Sequence, residues 1–256
     1  MRVRIMGCSG GIGAGLRTTS LLIDDDLLID AGTGIGDLSL PDLRRIKTVL
    51  LTHSHLDHTG GLPLLVDTIF ETLDTEVALQ VFGRDETLDA LRKHLFNWII
   101  WPDFTEIPRK DKPVLTLHTF TPGTTLEFGG RRISSVPVSH TVPAVAYIVE
   151  QGDKVFAFSG DTAENDTLWA ALNALPKLDA LIVEAAFSNS NEQLAGLSKH
   201  YCPNTLKSDL AKLKHRVPLW ITHLKPGGED QIMDELQALI TDRDIKRLVS
   251  GVTFEL

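Results

Sequence analysis

Two patterns of apolar and polar positions alternate along the chain. Short β-branched or apolar runs bounded by Gly, Pro or Asp are typical of strands, and apolar residues spaced by three or four are typical of amphipathic helices. The predicted strands cover residues 3–6, 19–23, 27–30, 48–52, 77–82, 114–120, 131–138, 145–150, 154–159, 180–184 and 219–222. The predicted helices cover residues 64–70, 86–96, 167–175, 205–213 and 232–240.

The order of these elements favours an α/β architecture. Strands come first in bulk, helices are interspersed, and Asp24-Asp25-Asp26 is predicted to turn between two strands. Two sheets with helices packed outside them suit this order. No Ser/Pro/Gly-rich linker, low-complexity tract or obvious repeat divides the 256 residues, so we expect a single domain over residues 1–256.

Charge and cysteine content narrow the classes of protein that fit. The net charge is -9, and no cluster of basic residues is longer than two arginines, which disfavours nucleic acid as the main partner without excluding a local basic patch. Two distant cysteines do not form a disulfide framework and indicate a reducing compartment. The sequence shows neither an apolar segment typical of a signal peptide nor a run of 18 apolar residues. We therefore expect a soluble cytoplasmic protein that does not enter the membrane.

The stretch THSHLDH follows the apolar run 48–52 and contains His53, His55, Asp57 and His58. In an extended chain His53 and His55 share a face, and a coil after them would pair Asp57 with His58. Two pairs of nitrogen and oxygen donors at one strand end suit a site with two zinc-like ions, because such ions take imidazole and carboxylate ligands.

A two-metal site needs further ligands, which later strand ends supply. His140 ends ISSVPVSH, Asp161 ends VFAFSGD and His223 ends PLWITH. Each follows an apolar run, so we expect all three at the sheet rim that also carries His53. A strand-end polar residue satisfied by backbone or water is the alternative for any one of them.

This series of motifs resembles the metallo-β-lactamase superfamily. The resemblance implies a four-layer αβ/βα sandwich in which two mixed sheets are flanked by helices, with two divalent metal ions at one sheet edge; we expect zinc, with manganese or iron as alternatives. It also implies ligand roles: His53, His55 and His140 for one ion, Asp57, His58 and His223 for the other, and Asp161 bridging both. Asp30 in LLIDAG matches a residue that orients a ligand, although an Asp that caps a turn is the open alternative.

Three further segments resemble the class II cyclic nucleotide phosphodiesterases: MGCSGG, HLFNWIIWPDF and IVEAAFSNSNEQLAGLSKHYCP. The resemblance implies a metal-dependent hydrolase that opens cyclic AMP or cyclic GMP to the 5′-nucleotide through a hydroxide bridging the ions. Its catalytic residues would include Asp57 and His200, and His200 would contact the phosphate or protonate the departing ribose oxygen, with an exposed loop histidine beside Pro203 as the alternative. Glu184 ends the apolar run ALIVE and is a third catalytic candidate that could fix the His200 tautomer, with a strand-end carboxylate of no catalytic role as the alternative.

Other functions stay open. Thr59 stands where that family has an aliphatic residue, an expected Ser-small pair is absent, and GLPLL resembles the tRNA-processing ribonuclease Z branch. No Gly/Pro-rich basic arm for tRNA is visible, so a small nucleotide remains the expected substrate. A non-catalytic metal-binding scaffold is disfavoured by the intact set of seven ligands. The Gly-rich GCSGGIGAG lacks the G-x-G-x-x-G spacing and precedes strands, which disfavours a dinucleotide loop.

The aromatic segment and one lysine are further candidates for substrate contacts. Trp98 and Trp101 could stack on a nucleobase, but so dense an aromatic run is more typical of core or of a subunit contact, which leaves a homodimer open. Lys225, shortly after His223, is a candidate phosphate contact, with a plain surface lysine as the alternative.

Overall fold

The computed structural model describes residues 1–72 and 78–256. They form two compact units. The first contains Met1–Gly7, Arg17–Thr121 and Ser250–Glu255, and the second contains Cys8–Leu16, Pro122–Val249 and Leu256. The single domain over residues 1–256 stays a prediction.

Sixteen strands are present in the described part of the chain. They are β1 (Arg2–Gly7), β2 (Ser20–Ile23), β3 (Leu27–Ile29), β4 (Thr48–Leu50), β5 (Leu79–Gly83), β6 (Pro108–Arg109), β7 (Lys112–Pro113), β8 (Leu115–Thr119), β9 (Thr125–Phe128), β10 (Arg131–Val138), β11 (Ala144–Gln151), β12 (Lys154–Phe158), β13 (Ala180–Glu184), β14 (Leu219–Thr222), β15 (Ile245–Arg247) and β16 (Thr253–Glu255).

Eight α-helices occur in the same residues: α1 (Leu40–Leu43), α2 (Leu56–Thr59), α3 (Leu62–Ile69), α4 (Asp85–His94), α5 (Thr167–Ala174), α6 (Glu192–Ser198), α7 (Pro203–Leu210) and α8 (Glu229–Leu239). Short 3-10 turns cover Thr33–Asp37, Phe70–Thr72 and Asn189–Asn191. Among the described residues, no helix combines the length and the apolar character needed to cross a bilayer.

The sheet of the first unit has the order β16-β1-β2-β3-β4-β5-β8. It is antiparallel from β16 to β3 and parallel from β3 to β8. Because β3 and β4 are parallel neighbours, the residues that follow them, Asp30 and the stretch 51–58, leave the sheet at the same edge. This topology explains why residues far apart in sequence meet beside the histidine-rich stretch.

The sheet of the second unit repeats this arrangement, with the order β15-β14-β13-β12-β11-β10-β9. Strands β12 to β15 are parallel, and β10 runs in the same direction as β12 because each is antiparallel to β11. The carboxyl ends of β10, β12, β13 and β14 therefore share one edge, where His140, Asp161, Glu184 and His223 follow or end these strands.

Each unit has its own apolar core. In the first, Leu28, Val49 and Val81 of the parallel strands are fully buried, and α3 and α4 contribute Leu65, Val66 and Leu88. In the second, β13 is buried along its whole length and packs in a cluster that includes Trp169 and Leu206. Strands covered on both faces become continuously apolar, which is why these runs were recognisable from the sequence.

The predicted strands are all present, most of them with shifted ends. Strands 131–138, 180–184 and 219–222 match from first to last residue. The predicted strand 77–82 appears as β5, and Val77 lies outside the described residues. The predicted ends at Asp30 and Thr52 were wrong: β3 stops at Ile29 because Asp30 adopts a left-handed backbone (φ 56°), and β4 stops at Leu50.

The predicted helices are also present with corrected bounds. Helix 205–213 begins earlier, at Pro203, since Cys202 caps it and proline suits a first turn. Helix 86–96 ends at His94, and Phe96 instead bridges to Trp101. The pattern missed β6, β7, β9, β15, β16, α1, α2 and α6, because these elements are short and carry few buried residues.

Candidate metal centre

In the first unit, the three histidines of THSHLDH lie close together after β4. The ring centroid of His53 is 4.6 Å from that of His55 and 4.2 Å from that of His58. His53 and His58 are fully buried. A ligand atom of His53 lies within 4.8 Å of one of His55, and Asp57 and His58 make a second such pair. The two donor pairs expected from the sequence are therefore present in this unit.

Asp30 connects to two of these histidines. Its Oδ1 accepts a bond from the Thr52 amide (2.8 Å), and its Oδ2 accepts bonds from the Thr52 hydroxyl (2.8 Å) and from His58 Nδ1 (2.7 Å). Because the Thr52 hydroxyl donates its proton to Asp30, its oxygen can accept from His53 Nδ1, 3.0 Å away. This pattern protonates both histidines at Nδ1, which leaves each Nε2 with the lone pair that a metal requires.

Burial and backbone geometry hold this arrangement tightly. Burial raises the pKa of Asp30, and the charge and hydrogen bond of His58 oppose that shift. A Cβ on Gly32 would lie 2.3 Å from the Asp57 carbonyl oxygen, so only glycine lets the chain after Asp30 pass this close to α2. Thr59, the departure from the phosphodiesterase pattern, donates its hydroxyl to the His55 carbonyl (2.9 Å).

The second unit gathers residues that are far apart in sequence. His140, Asp161 and His200 each offer a ligand atom within 4.8 Å of the others. His223 Nε2 lies 3.3 Å from Asp161 Oδ2, and the rings of His200 and His223 stack with centroids 5.1 Å apart. The four side chains are all buried. The expectation that the ends of distant strands meet at one rim holds within this unit.

His140 is oriented by a backbone carbonyl. Its Nδ1 donates to the carbonyl of Lys199 (2.9 Å), which leaves Nε2 as the acceptor. Lys199 ends α6 in a left-handed conformation (φ 52°), which helps to direct that carbonyl. Such a contact has no signature in sequence, because any residue supplies a carbonyl.

His200 and Glu184 form a buried pair. His200 Nδ1 donates to Glu184 Oε1 (2.7 Å), and the same oxygen accepts from the Thr162 amide (2.8 Å). Glu184 Oε2 accepts from the amide of Ala186 (3.1 Å). Burial disfavours the charged imidazole, but the charge and hydrogen bond of Glu184 outweigh it and hold the pKa of His200 above its ordinary value. The pair therefore favours a protonated histidine beside His140, Asp161 and His223.

The segment 8–16 packs against the end of β14. The amide of His223 donates to the Cys8 carbonyl (2.8 Å), and a Cβ on Gly10 would lie 2.4 Å from the His223 carbonyl oxygen. Lys225 Nζ donates to the Gly10 carbonyl (2.8 Å) and lies 5.9 Å from the ring centroid of Phe187. The charge of Lys225 also opposes protonation of His200. The predicted phosphate contact at Lys225 is thus a lysine that bonds the Gly10 carbonyl and lies near the Phe187 ring.

The aromatic segment divides into a core part and a surface part. Phe96 and Phe104 are buried in the core of the first unit. Trp98, Ile99 and Ile100 are 61%, 86% and 60% exposed. The Asn97 side chain accepts bonds from the amides of Ile99 (3.0 Å) and Ile100 (2.8 Å), which fixes the tip of this loop.

The donor sets fit a divalent metal. Imidazole nitrogens and carboxylate oxygens are the ligands of zinc-like ions, and a partner at Nδ1 orients the ring of His58 and of His140 for binding through Nε2. Sequence reasoning missed Thr52, Lys199 and Phe187. Thr52 could have been suspected because it directly precedes His53. The other two lie in the segment that resembles the cyclic nucleotide phosphodiesterases, but their residue types gave no sign of a role there.

The chain belongs to the β-lactamase superfamily, because a family model described as a beta-lactamase superfamily domain matches residues 26–241. The predicted fold class is also confirmed. The metallo-beta-lactamase fold protein YhfI from Bacillus subtilis superposes with a TM-score of 0.79 at 20% identity, covering 100% of this chain and 98% of that one. Unliganded yeast PDE1 superposes with a TM-score of 0.84 at 20% identity, covering 100% and 99%.

Among curated proteins, the probable 3′,5′-cyclic-nucleotide phosphodiesterase of Yersinia pestis is 26% identical over 91% of this chain and 82% of its own length. The ribonuclease Z of Pyrococcus abyssi is 27% identical, over 54% of this chain and 43% of its own length. The similarity to the phosphodiesterase thus extends over much more of the chain than the similarity to the ribonuclease.

Proposed function

We propose that this chain is a metal-dependent phosphodiesterase that hydrolyses 3′,5′-cyclic nucleotides to 5′-nucleotides. The observation that carries the proposal is the buried Glu184–His200 pair (2.7 Å) beside His140, Asp161 and His223. Cleavage of a phosphodiester with a poor leaving group requires an acid that protonates the departing oxygen, and this pair places such an acid next to side chains that can bind a metal. The extended similarity to proteins named cyclic nucleotide phosphodiesterases supports the same substrate class.

The proposed metal centre holds two divalent ions, with zinc as the expected metal. Its proposed ligands are His53, His55 and His140 for one ion, Asp57, His58 and His223 for the other, and Asp161 for both. Support comes from the donor chemistry of each unit and from the partners at Nδ1 of His53, His58 and His140. When bound, such ions supply a hydroxide near neutral pH and neutralise charge on a phosphoryl oxygen.

The protein's own residues then have distinct proposed roles. Glu184 accepts the bond from Nδ1 of His200 and favours the protonated ring, whose second proton, on Nε2, goes to the departing ribose oxygen. Asp30 orients His58 directly and His53 through Thr52. Asp57, whose side chain is 29% exposed, is proposed as a catalytic residue as well as a ligand.

Two parts of the chain are proposed as substrate contacts, one for the phosphate and one for the nucleobase. The charge of Lys225 is near enough to His200 to oppose its protonation, so the Lys225 ammonium group is a candidate partner for the phosphate. The exposed Trp98 offers a ring on which a nucleobase can stack, and Trp101 lies half-buried beside it.

A homodimer is also proposed, with the loop 98–100 as its contact; in that case Trp98 would pack on a second copy of the chain instead of on a nucleobase. Three adjacent apolar side chains more than half exposed are typical of a protein interface. The elements that flank the loop carry positive and negative side chains in equal number, in the ion pairs of Arg92 with Asp89 and of Lys110 with Glu106. This balance of charge suits contact with a second copy of the same surface. Ile99→Ser should shift the molar mass in solution from dimer to monomer, whereas an unchanged mass would refute this contact.

The test of the proposed function is a substrate panel on metal-loaded protein. Cyclic AMP and cyclic GMP should be hydrolysed faster than pre-tRNA or a β-lactam by orders of magnitude, and elemental analysis should find two metal equivalents per chain. Rapid pre-tRNA cleavage with inert cyclic nucleotides would assign the chain to ribonuclease Z activity. Bound metal without turnover of any substrate would support the scaffold alternative. An Asp161→Ala variant that kept both metals and full activity would refute the bridging ligand.

A further inference from the structure

The second unit contains a buried polar cluster centred on Asp209, a residue with no role in the proposed chemistry. Asp209 is 1% exposed. Its Oδ2 accepts hydrogen bonds from the Tyr201 hydroxyl (2.5 Å), the Trp169 indole (2.6 Å) and the Asn165 amide (3.0 Å), and its Oδ1 accepts one from Lys212. Burial of a carboxylate costs free energy even when four donors bond it, and an apolar core does not require such a group.

The charged state of Asp209 is maintained by these donors. Burial opposes its ionisation, but the bonds from Lys212, Tyr201 and Trp169 hold the pKa of Asp209 below its ordinary value. Burial and the neighbouring carboxylate raise the pKa of Tyr201, so the phenol stays protonated and donates. The result is a charge-assisted bond from the Tyr201 hydroxyl to a fixed anion.

Tyr201 connects this cluster to the catalytic pair. Its side chain is fully buried, with the hydroxyl at Asp209. Its backbone lies next to His200, and its carbonyl accepts from the amides of Ala186 (3.0 Å) and Phe187 (3.3 Å). Its amide donates to Glu184 Oε2 (3.4 Å), the second oxygen of the carboxylate that holds His200. One residue is therefore anchored at Asp209 by its side chain and at the Glu184 strand end by its backbone.

We propose that Asp209 is a positioning residue that acts through Tyr201 to hold His200 against Glu184. This inference rests on the proposed role of His200 as the proton donor. Displacement of Tyr201 would move the backbone on which His200 sits, and a small misplacement of a reacting group has a large effect on rate. Asp209 itself touches neither the substrate nor the reacting atoms.

The chain offers a matched pair of variants. Tyr201→Phe removes the hydroxyl that links Asp209 to the site, and Trp169→Phe removes a different donor to the same Asp209 oxygen. Both change the cluster and both are expected to lower Tm, but only Tyr201→Phe breaks the connection to His200. Asp209→Asn tests the whole cluster. If Asp209→Asn does not fold, the comparison of Tyr201→Phe with Trp169→Phe still tests the proposal.

Two readouts separate positioning from a general loss of stability. With Tyr201→Phe, kcat for cyclic AMP should fall about tenfold, as expected when an outer partner of a functional group is lost. Hydrolysis of bis(p-nitrophenyl) phosphate, whose leaving group barely needs protonation, should be unchanged, and so should metal content. Trp169→Phe should leave the ratio of the two rates as in the wild type.

The second readout needs no substrate or metal. In metal-free protein, the proton on His200 Nδ1 that is bonded to Glu184 should give a far-downfield NMR signal, assigned by its absence in His200→Ala. The signal should persist in Trp169→Phe and broaden or vanish in Tyr201→Phe. Equal behaviour of the two variants in both readouts would overturn the proposal. If the wild type does not hydrolyse cyclic nucleotides, the proposed function fails, and the NMR comparison still decides whether Tyr201 positions His200.

Discussion

Each of the two units contains a carboxylate–histidine pair, and the hydrogen bond has the same length in both. The two pairs nevertheless support different roles. Asp30 holds His58 Nδ1 at 2.7 Å, and Glu184 holds His200 Nδ1 at 2.7 Å. Asp30 also bonds Thr52, which contacts His53, so one carboxylate orients two proposed ligands. Glu184 instead bonds the backbone around a single histidine. Each carboxylate places a proton on Nδ1 of its histidine, and the surroundings of Nε2 decide whether that nitrogen binds a metal or carries a second proton.

The largest expected effect comes from breaking the first pair at its histidine. His58→Ala empties a coordination position, which weakens the ion it held, so metal content and activity on cyclic AMP should both be lost. Elemental analysis and turnover of the same sample measure this. Two full metal equivalents in the variant would remove His58 from the proposed ligands.

The second prediction breaks the other pair at its histidine. His200→Ala should lower kcat for cyclic AMP by about 10²–10⁴-fold, the range for a general acid or base, and leave metal content unchanged. The loss should be smaller for a p-nitrophenyl diester, which departs without protonation. Equal losses on both substrates would assign His200 to phosphate binding instead, and an unimpaired variant would leave it without a role.

The third prediction compares the two carboxylates directly. Asp30→Asn should weaken metal binding by about 10–100-fold, because two proposed ligands lose their orienting partner. Glu184→Gln should lower kcat without changing metal affinity. Titration of metal-free protein with zinc, followed by rate measurements at saturating metal, separates the two effects. A common loss of metal affinity in both variants would mean that the pairs do not differ in role.

The smallest effect concerns stability in acid. The pKa of Asp209 in the folded protein is held below its ordinary value, which is about 3.9 in the unfolded chain. Ionised Asp209 therefore makes its full contribution to stability at any pH above that unfolded pKa. The contribution is lost as the pH falls through the pKa of the folded state. The difference in free energy of unfolding between wild type and Asp209→Asn should therefore be constant from pH 7 to about pH 5 and shrink below about pH 4. Urea unfolding at several pH values measures it. A difference that grew as the pH fell would contradict the ionised Asp209.

The histidine-rich stretch and the strand ends were predictable from the sequence for a local reason. Each candidate follows an apolar run, and a run buried on both faces of a sheet is continuously apolar, so the run shows where the strand ends. His140, Asp161, Glu184 and His223 were identified in this way, and the parallel part of the sheet in the second unit brings their strand ends to one edge. The predicted strand over Asp30 and Thr52 failed at its last residues because a left-handed backbone has no apolar signature.

The contacts that orient the site were not predictable in the same way. Thr52 acts through its one hydroxyl, Lys199 through a carbonyl, and Tyr201 through a bond to a residue eight positions away. None of these depends on a residue type that is rare or on a spacing that recurs. The aromatic segment also divided in a manner that composition could not show, since Phe96 is buried and Ile99 is 86% exposed.

The sequence by itself determined which side chains can bind a metal or move a proton, and which strands carry them, because apolar periodicity and ligand chemistry are local properties of the chain. The tertiary structure decided which nitrogen of each histidine stays available. That choice depends on a partner at Nδ1, and the partners of His58, His140 and His200 lie 28, 59 and 16 residues away. Pairing of strands β3 with β4 and β12 with β13 with β14 helps to bring such distant groups within hydrogen-bond distance.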